Sequence, residues 1–179
     1  MTTTELISIP DTDGKFNAIA SATADAVAAK ASNAEVVFSA SAVAGEGVSS
    51  EIALRSFRVS VDEPPTLGGN DTAANPVEYY LAALLSCQVV TYRFWAERLG
   101  IVVDDLKLSA EGDLDVRGFF GLDADVRPGF TAVRVAVEIS GPASDDDYRR
   151  LQEVVEQHCP VQDLTANPTP VTTELRVTR

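Results

Sequence analysis

The chain has 179 residues and a formal net charge of −13 at pH 7, with 27 acidic and 14 basic residues. This length favours one domain. An acidic chain without a run of basic residues would repel phosphate backbones, so we expect no nucleic-acid partner. No apolar run approaches the ~18 residues of a membrane helix, and the N-terminus lacks a basic segment followed by an apolar one. We therefore expect a cytoplasmic protein with no membrane partner.

The first 33 residues are predicted to be an N-terminal extension of a domain that covers residues 34–179. Residues 1–14 contain Pro10 and Gly14, which predicts an irregular lead-in. Residues 15–32 are rich in alanine, the strongest helix former. They predict a short helix that packs on the domain or is completed by a partner subunit.

From residue 34 onward the pattern becomes extended. Residues 35–45 combine an apolar run with alternation, and residues 51–61 alternate again, which predicts an antiparallel hairpin. In a regular strand one side would carry Arg55, Phe57, Val59 and Val61. Residues 62–74 are predicted to be a loop, because the Pro-Pro and Gly-Gly pairs break both periodicities.

The stretch from Asn75 to Gly100 predicts one long helix that is apolar on nearly all sides and must therefore be covered on nearly all sides. Asn75 suits the cap and Pro76 the first helical position. Glu78 stands where a capping-box carboxylate reaches back to the Asn75 amide. Cys87 lies near the middle of this helix.

The remaining elements predict an α+β domain rather than an alternating doubly wound sheet. Strands are expected over residues 101–115 and 130–140, the second with strict alternation. Ser144 is predicted to cap a helix, and the segment CPVQDLTA a short helical turn. Residues 168–178 alternate and predict a final strand.

The two cysteines, Cys87 and Cys159, are the sharpest candidates for chemistry, because the thiolate is the most nucleophilic side chain at neutral pH. Cys87 taken alone is better explained as a small buried hydrophobe. Cys159 precedes Pro160, so we expect it to cap the short helix and to have a lowered thiol pKa. We interpret the neighbouring His158 as structural or incidental. The spacing fits no zinc site, so no metal or cofactor is expected.

The segment DEPPTLGGNDTAANPVEYYLAALLSC, followed by HCPV at residues 158–161, resembles the OsmC/Ohr family of osmotically induced and organic-hydroperoxide-resistance proteins. The resemblance covers about residues 34–179, and the DEP…GG phrase is most similar to the broader OsmC-like branch. It implies antiparallel sheets around a long central helix in an intertwined homodimer. It also implies that an organic hydroperoxide oxidises Cys87 to a sulfenic acid, that Cys159 resolves it as a disulfide, and that a dithiol, such as a lipoylated protein, reduces the disulfide.

Two positions depart from the family pattern. In the hydroperoxide reductases a glutamate directly follows the Asn-Pro of the motif, whereas Val77 stands there and the acid is Glu78. Capping explains Glu78 without catalysis. The family also places an arginine near the end of the first strand, and this stretch has none, so Arg55 is the candidate substitute.

The leading hypothesis is therefore a thiol-dependent peroxidase in which Cys87 and Cys159 react and Glu78 and Arg55 have subsidiary catalytic roles. An OsmC-like dimer that binds a small ligand or senses oxidant remains the alternative.

Overall fold

The computed structural model describes residues 14–178, so most of the predicted lead-in lies outside the described residues. The helices and strands are α1 (Lys15–Ala29), β1 (Ser41–Ala44), β2 (Ser50–Leu54), β3 (Phe57–Val61), α2 (Pro76–Leu99), β4 (Asp105–Asp113), α3 (Val116–Phe119), β5 (Ala132–Ser140), α4 (Asp145–His158) and α5 (Pro160–Ala166). The α+β fold class is confirmed. None of the helices between residues 14 and 178 has the length and apolar character needed to cross a membrane.

Helix α2 begins and ends where the sequence predicts. The Asn75 side chain accepts a hydrogen bond from the Glu78 amide at 2.9 Å, and the Glu78 carboxylate accepts one from the Asn75 amide at 2.8 Å. At the other end Gly100 adopts φ +67°, a left-handed conformation that terminates the helix without the steric cost of a side chain. The predicted capping box is thus confirmed.

The core of the chain lies between α2, α4 and the antiparallel pair β4–β5. Strand β5 alternates as predicted, with Val133, Val135, Val137 and Ile139 half-buried and the residues between them exposed. Helix α4 begins at the predicted Ser144 cap and contributes Leu151 and Val155, both almost fully buried. These side chains pack with Tyr92 and Ala96 of α2 in one apolar cluster.

The predicted first hairpin is a three-stranded antiparallel sheet in the order β1-β2-β3. The prediction of one continuous strand over residues 51–61 is wrong, because the chain reverses at Arg55 and Ser56 and pairs Leu54 with Phe57. Arg55 adopts φ +58°, as a tight two-residue hairpin requires. The predicted strand over residues 35–45 is reduced to Ser41–Ala44.

The C-terminal segment is not a strand in the described chain, contrary to the prediction. Residues 167–178 have no assigned strand or helix. Their alternating apolar side chains Val171, Leu175 and Val177 are exposed, as are Val36, Val37 and Phe38 before β1. A strand needs a neighbour for its backbone hydrogen bonds, and these segments find none within residues 14–178.

The N-terminal helix α1 lies where the alanine-rich stretch predicts a helix. It buries no residue of its own. Its first turn is attached to the end of α2, since the Asn17 amide donates to the Glu97 carboxylate at 2.7 Å and the Phe16 and Phe94 rings lie 5.8 Å apart. The division into an extension and a domain at residue 33 stays a prediction.

Candidate active site

Cys87 lies at the middle of α2 and is half-buried. Its carbonyl oxygen accepts a hydrogen bond from the Thr91 hydroxyl at 2.8 Å, one turn further along the helix. Both cysteines are free thiols.

Cys159 connects α4 to α5 and is only 1% exposed. It occupies the predicted cap position of α5, directly before Pro160. Burial raises the pKa of the Cys159 thiol, whereas the backbone amide of Gln162 and the hydroxyl of Thr91 act in the opposite direction with less effect. The prediction of a lowered pKa is therefore wrong in its net direction, because desolvation outweighs the helix cap.

The two thiols lie close enough to influence each other. The Cys87 side chain raises the pKa of the Cys159 thiol further, since negative charge on both sulfurs would be repulsive. The structure thus brings together the two residues that the sequence places 72 positions apart.

A pair of glutamines links the same two segments, and the sequence analysis missed it. Gln88, the residue after Cys87, is 6% exposed and donates from Nε2 to Oε1 of Gln162 at 2.8 Å. Gln162 lies in the first turn of α5, three residues after Cys159. The only signal in the sequence was a polar residue inside an apolar helix, which does not identify its partner.

Two aromatic residues of the first turns of α2 fix the surroundings of the thiol pair. The Tyr79 hydroxyl donates to the Ser60 carbonyl of β3 at 2.8 Å. The Tyr80 hydroxyl hydrogen-bonds with that of Thr165 in α5, and its ring lies 5.6 Å from the Phe130 ring. The start of α2 is therefore tied to β3, to the segment before β5 and to the helix that follows Cys159.

The loop before α2 is organised by Asp62, which is 2% exposed. One carboxylate oxygen accepts from the Asn70 amide at 3.1 Å and from the Thr72 amide and hydroxyl at 3.1 and 2.8 Å. Backbone hydrogen bonding at Glu63 and the Thr72 hydroxyl lower the pKa of Asp62 to about 2. A side chain at Gly69 would clash with the Glu63 carbonyl, so the DEP…GG phrase encodes a tightly closed loop.

The structure does not bring Glu78 or Arg55 to the thiols. The Glu78 carboxylate is engaged in the capping box. Arg55 lies in the β2–β3 turn rather than on a strand face, and its exposed guanidinium lies 5.2 Å from the centre of the Phe57 ring. Among residues 14–178, no arginine or lysine is a hydrogen-bond partner of the Cys87 thiol.

His158 is exposed and has one contact within α4 and one with α2. Its Nδ1 lies 2.8 Å from the Val154 carbonyl oxygen, and its ring centre lies 4.4 Å from that of Trp95. The described residues contain no group of three or more His, Cys, Asp or Glu side chains placed to hold a metal ion.

A cavity of about 240 Å³ opens between α2, β5 and the α4–α5 segment, and neither cysteine lines it. Its apolar side is formed by Leu84 and Val155 with three valines of β5, and its polar side includes Gln88, Gln162 and Tyr92. Burial, with a smaller effect of Glu156, raises the pKa of Tyr92 to about 12. This tyrosine therefore stays protonated at neutral pH.

Fold and thiols together define an α+β protein with a paired-cysteine centre. The family model of the OsmC-like protein matches residues 68–174, and the chain belongs to this family. A search of the curated proteins finds no match.

Solved structures have the same fold. An OsmC-like protein from Mycoplasma pneumoniae aligns with a TM-score of 0.66 at 18% identity, over 75% of this chain and 90% of the other. The organic hydroperoxide resistance protein OsmC from Legionella pneumophila aligns with a TM-score of 0.58 at 21% identity, over 74% of this chain and 90% of the other. An organic hydroperoxide resistance protein from Elizabethkingia anophelis aligns with a TM-score of 0.59 at 20% identity, over 75% of this chain and 91% of the other.

Proposed function

We propose that this protein is a thiol-dependent peroxidase that reduces organic hydroperoxides. The observation that carries the proposal is the proximity of a half-buried Cys87 to a buried Cys159, whose thiol pKa burial and Cys87 both raise. Two of the related structures are organic hydroperoxide resistance proteins, which supports the substrate class.

In the first step the Cys87 thiolate attacks the outer oxygen of the hydroperoxide. The O–O bond breaks, the alkoxide leaves and takes a proton to become an alcohol, and Cys87 becomes a sulfenic acid.

In the second step the Cys159 sulfur attacks the Cys87 sulfenic acid. A disulfide forms, and the sulfenic oxygen leaves as water after it takes up the Cys159 proton. A dithiol, for which a lipoylated protein is our candidate, then reduces the disulfide and is itself oxidised to a disulfide. A reducing compartment such as the cytoplasm would supply this reductant.

We infer that the functional unit is a homodimer. One face of α2 is uncovered in the single chain and carries small or apolar residues, including Ala83 and Val90. The apolar residues of the C-terminal segment and of residues 36–38 are also exposed. A second copy would cover these surfaces and supply a strand neighbour, and any activation of Cys87 by Arg55 would act across that interface.

The peroxidase proposal is tested by steady-state turnover of cumene hydroperoxide with dihydrolipoamide as the reductant. We expect Cys87→Ser to abolish turnover. Cys159→Ser should still undergo one oxidation per Cys87 but lose efficient recycling. A wild-type protein that reacts no faster than a small free thiol, or full turnover in Cys87→Ser, would contradict the proposal.

A second candidate function is binding of a small ligand without efficient turnover. The observation that favours it is the absence of a cationic partner of Cys87 among residues 14–178, together with the engagement of Glu78 in the helix cap. A ligand that stays bound through purification, in a protein whose cysteines form no disulfide with peroxide, would favour this function over the first.

A further inference from the structure

We propose that the Gln88–Gln162 side-chain pair is the positioning device that keeps Cys159 against Cys87, an inference that rests on the proposed dithiol chemistry. The two side chains meet at 2.8 Å and join segments that are 74 residues apart. Each glutamine is close in sequence to one cysteine, since Gln88 follows Cys87 and Gln162 lies three residues after Cys159.

Helix α5 needs such a device because its own burial does not fix it. None of its seven residues is fully buried. Its side-chain hydrogen bonds to α2 are the Gln88–Gln162 pair and the contact of Tyr80 with Thr165. Gln162 also interacts with the Cys159 thiol through its backbone amide. One residue therefore contacts both cysteine-bearing segments.

The burial of the Gln88 side chain is also better explained by a positioning role than by a contribution to stability. Its Oε1 is buried without a hydrogen-bond partner among the described residues. A buried amide that uses only part of its hydrogen-bonding capacity stabilises a core less than an apolar residue of similar size. What the glutamine provides is a directional bond in a water-poor site, where such bonds are strong and specific.

The consequence concerns disulfide closure rather than the first oxidation. Holding two thiols together raises their effective concentration, which favours the disulfide over the dithiol. Loss of the glutamine bond should therefore lower the equilibrium constant for closure. The closure constant is measured without hydroperoxide, so it reports on the two thiols independently of the first oxidation.

The experiment is a redox titration of the full chain against graded ratios of reduced and oxidised dithiothreitol. The variants are Gln88→Met, Gln162→Met and the double variant, with Gln152→Met as the control. Gln152 lines the same cavity but is bonded within α4 to Glu156. We expect each single variant to lower the closure constant about tenfold, which raises the reduction potential by about 30 mV. The double variant should give the same shift as each single, because all three lose one bond.

The double variant leaves neither glutamine buried without its partner. If a single variant does not fold, the double variant therefore decides the test. Potentials that match the wild type, shifts that Gln152→Met reproduces, or strictly additive shifts would overturn the proposal. A wild-type pair that never closes in the titration would also overturn it. Failure of the peroxidase is seen separately, as slow oxidation of Cys87 by cumene hydroperoxide in a protein whose titration behaves normally.

Discussion

Two regions of this molecule differ in how complete they are within one chain. The region of α2, α4 and the β4–β5 pair has a continuous apolar core, with Leu151 and Val155 almost fully buried. In the region of β1–β3 and the C-terminal segment, strand β1 has no buried residue and large apolar side chains are exposed. The first region buries its apolar side chains within one chain, whereas the second leaves them exposed and would be covered in the proposed dimer.

The largest expected effect on stability is in the complete region. Leu151→Ala removes a side chain that is 0% exposed. It should lower the free energy of unfolding by about 2–5 kcal/mol, through lost burial and the cavity left behind. Urea unfolding at two protein concentrations measures this loss, which should be the same at both. A loss below about 1 kcal/mol would mean that this core is not closed in one chain.

A substitution in the region of β1–β3 and the C-terminal segment should change the dimer Kd. Phe38 is 90% exposed in the single chain. If a second copy covers it, Phe38→Ser should cost about 2 kcal/mol for each Phe38 buried, which raises the dimer Kd by at least roughly thirtyfold. Sedimentation equilibrium measures the change, with Ser39→Ala as the neighbouring control. Equal dimer Kd values for the wild type and both variants would show that Phe38 does not lie in the interface.

A smaller effect on stability is expected at the start of α2. Variants there distinguish a capping role of Glu78 from a catalytic one. Asn75→Ala should destabilise the protein by about 1 kcal/mol because it removes the cap acceptor. Glu78→Gln keeps an acceptor for the Asn75 amide, so its stability and its kcat/KM for hydroperoxide should both stay close to wild type. A large fall in kcat/KM at unchanged stability would instead give Glu78 a catalytic role.

The loss of stability at acid pH should depend on Asp62, which lies between the two regions. Its folded-state pKa of about 2 is below the ordinary value of 3.8. It therefore contributes stability that is fully present above the ordinary value and is lost as pH falls through about 2. Asp62→Asn should be less stable at pH 7 and should lose part of the acid slope in urea titrations between these two values. An unchanged slope would contradict this account of the loop.

The complete region could be predicted from the sequence because its signals are local. Asn75, Glu78 and Gly100 define the ends of α2 by their own backbone chemistry, and the alternation in β5 defines its inner face. The pairing of Cys87 with Cys159 came from the family resemblance, since no local pattern joins distant residues. The Gln88–Gln162 bond could not be predicted, because a buried polar residue does not identify its partner.

The incomplete region was predicted less well for a physical reason. The turn at Arg55 and Ser56 contains neither glycine nor proline, so nothing in the alternation of residues 51–61 marked the reversal. Residues 168–178 have the pattern of a strand, but no neighbour in the described chain completes their backbone hydrogen bonds. An alternating pattern indicates that a segment can form a strand, but it does not identify the neighbouring strand.

The central claim, that Cys87 reacts and Cys159 resolves, is tested most directly by intact mass after rapid mixing of reduced protein with one equivalent of cumene hydroperoxide. We predict that the wild type loses two hydrogens as the disulfide closes, that Cys159→Ser gains one oxygen as the Cys87 sulfenic acid, and that Cys87→Ser is unchanged. Oxidation of the wild type no faster than that of a small free thiol, or an oxygen gained by Cys87→Ser at the wild-type rate, would contradict the claim.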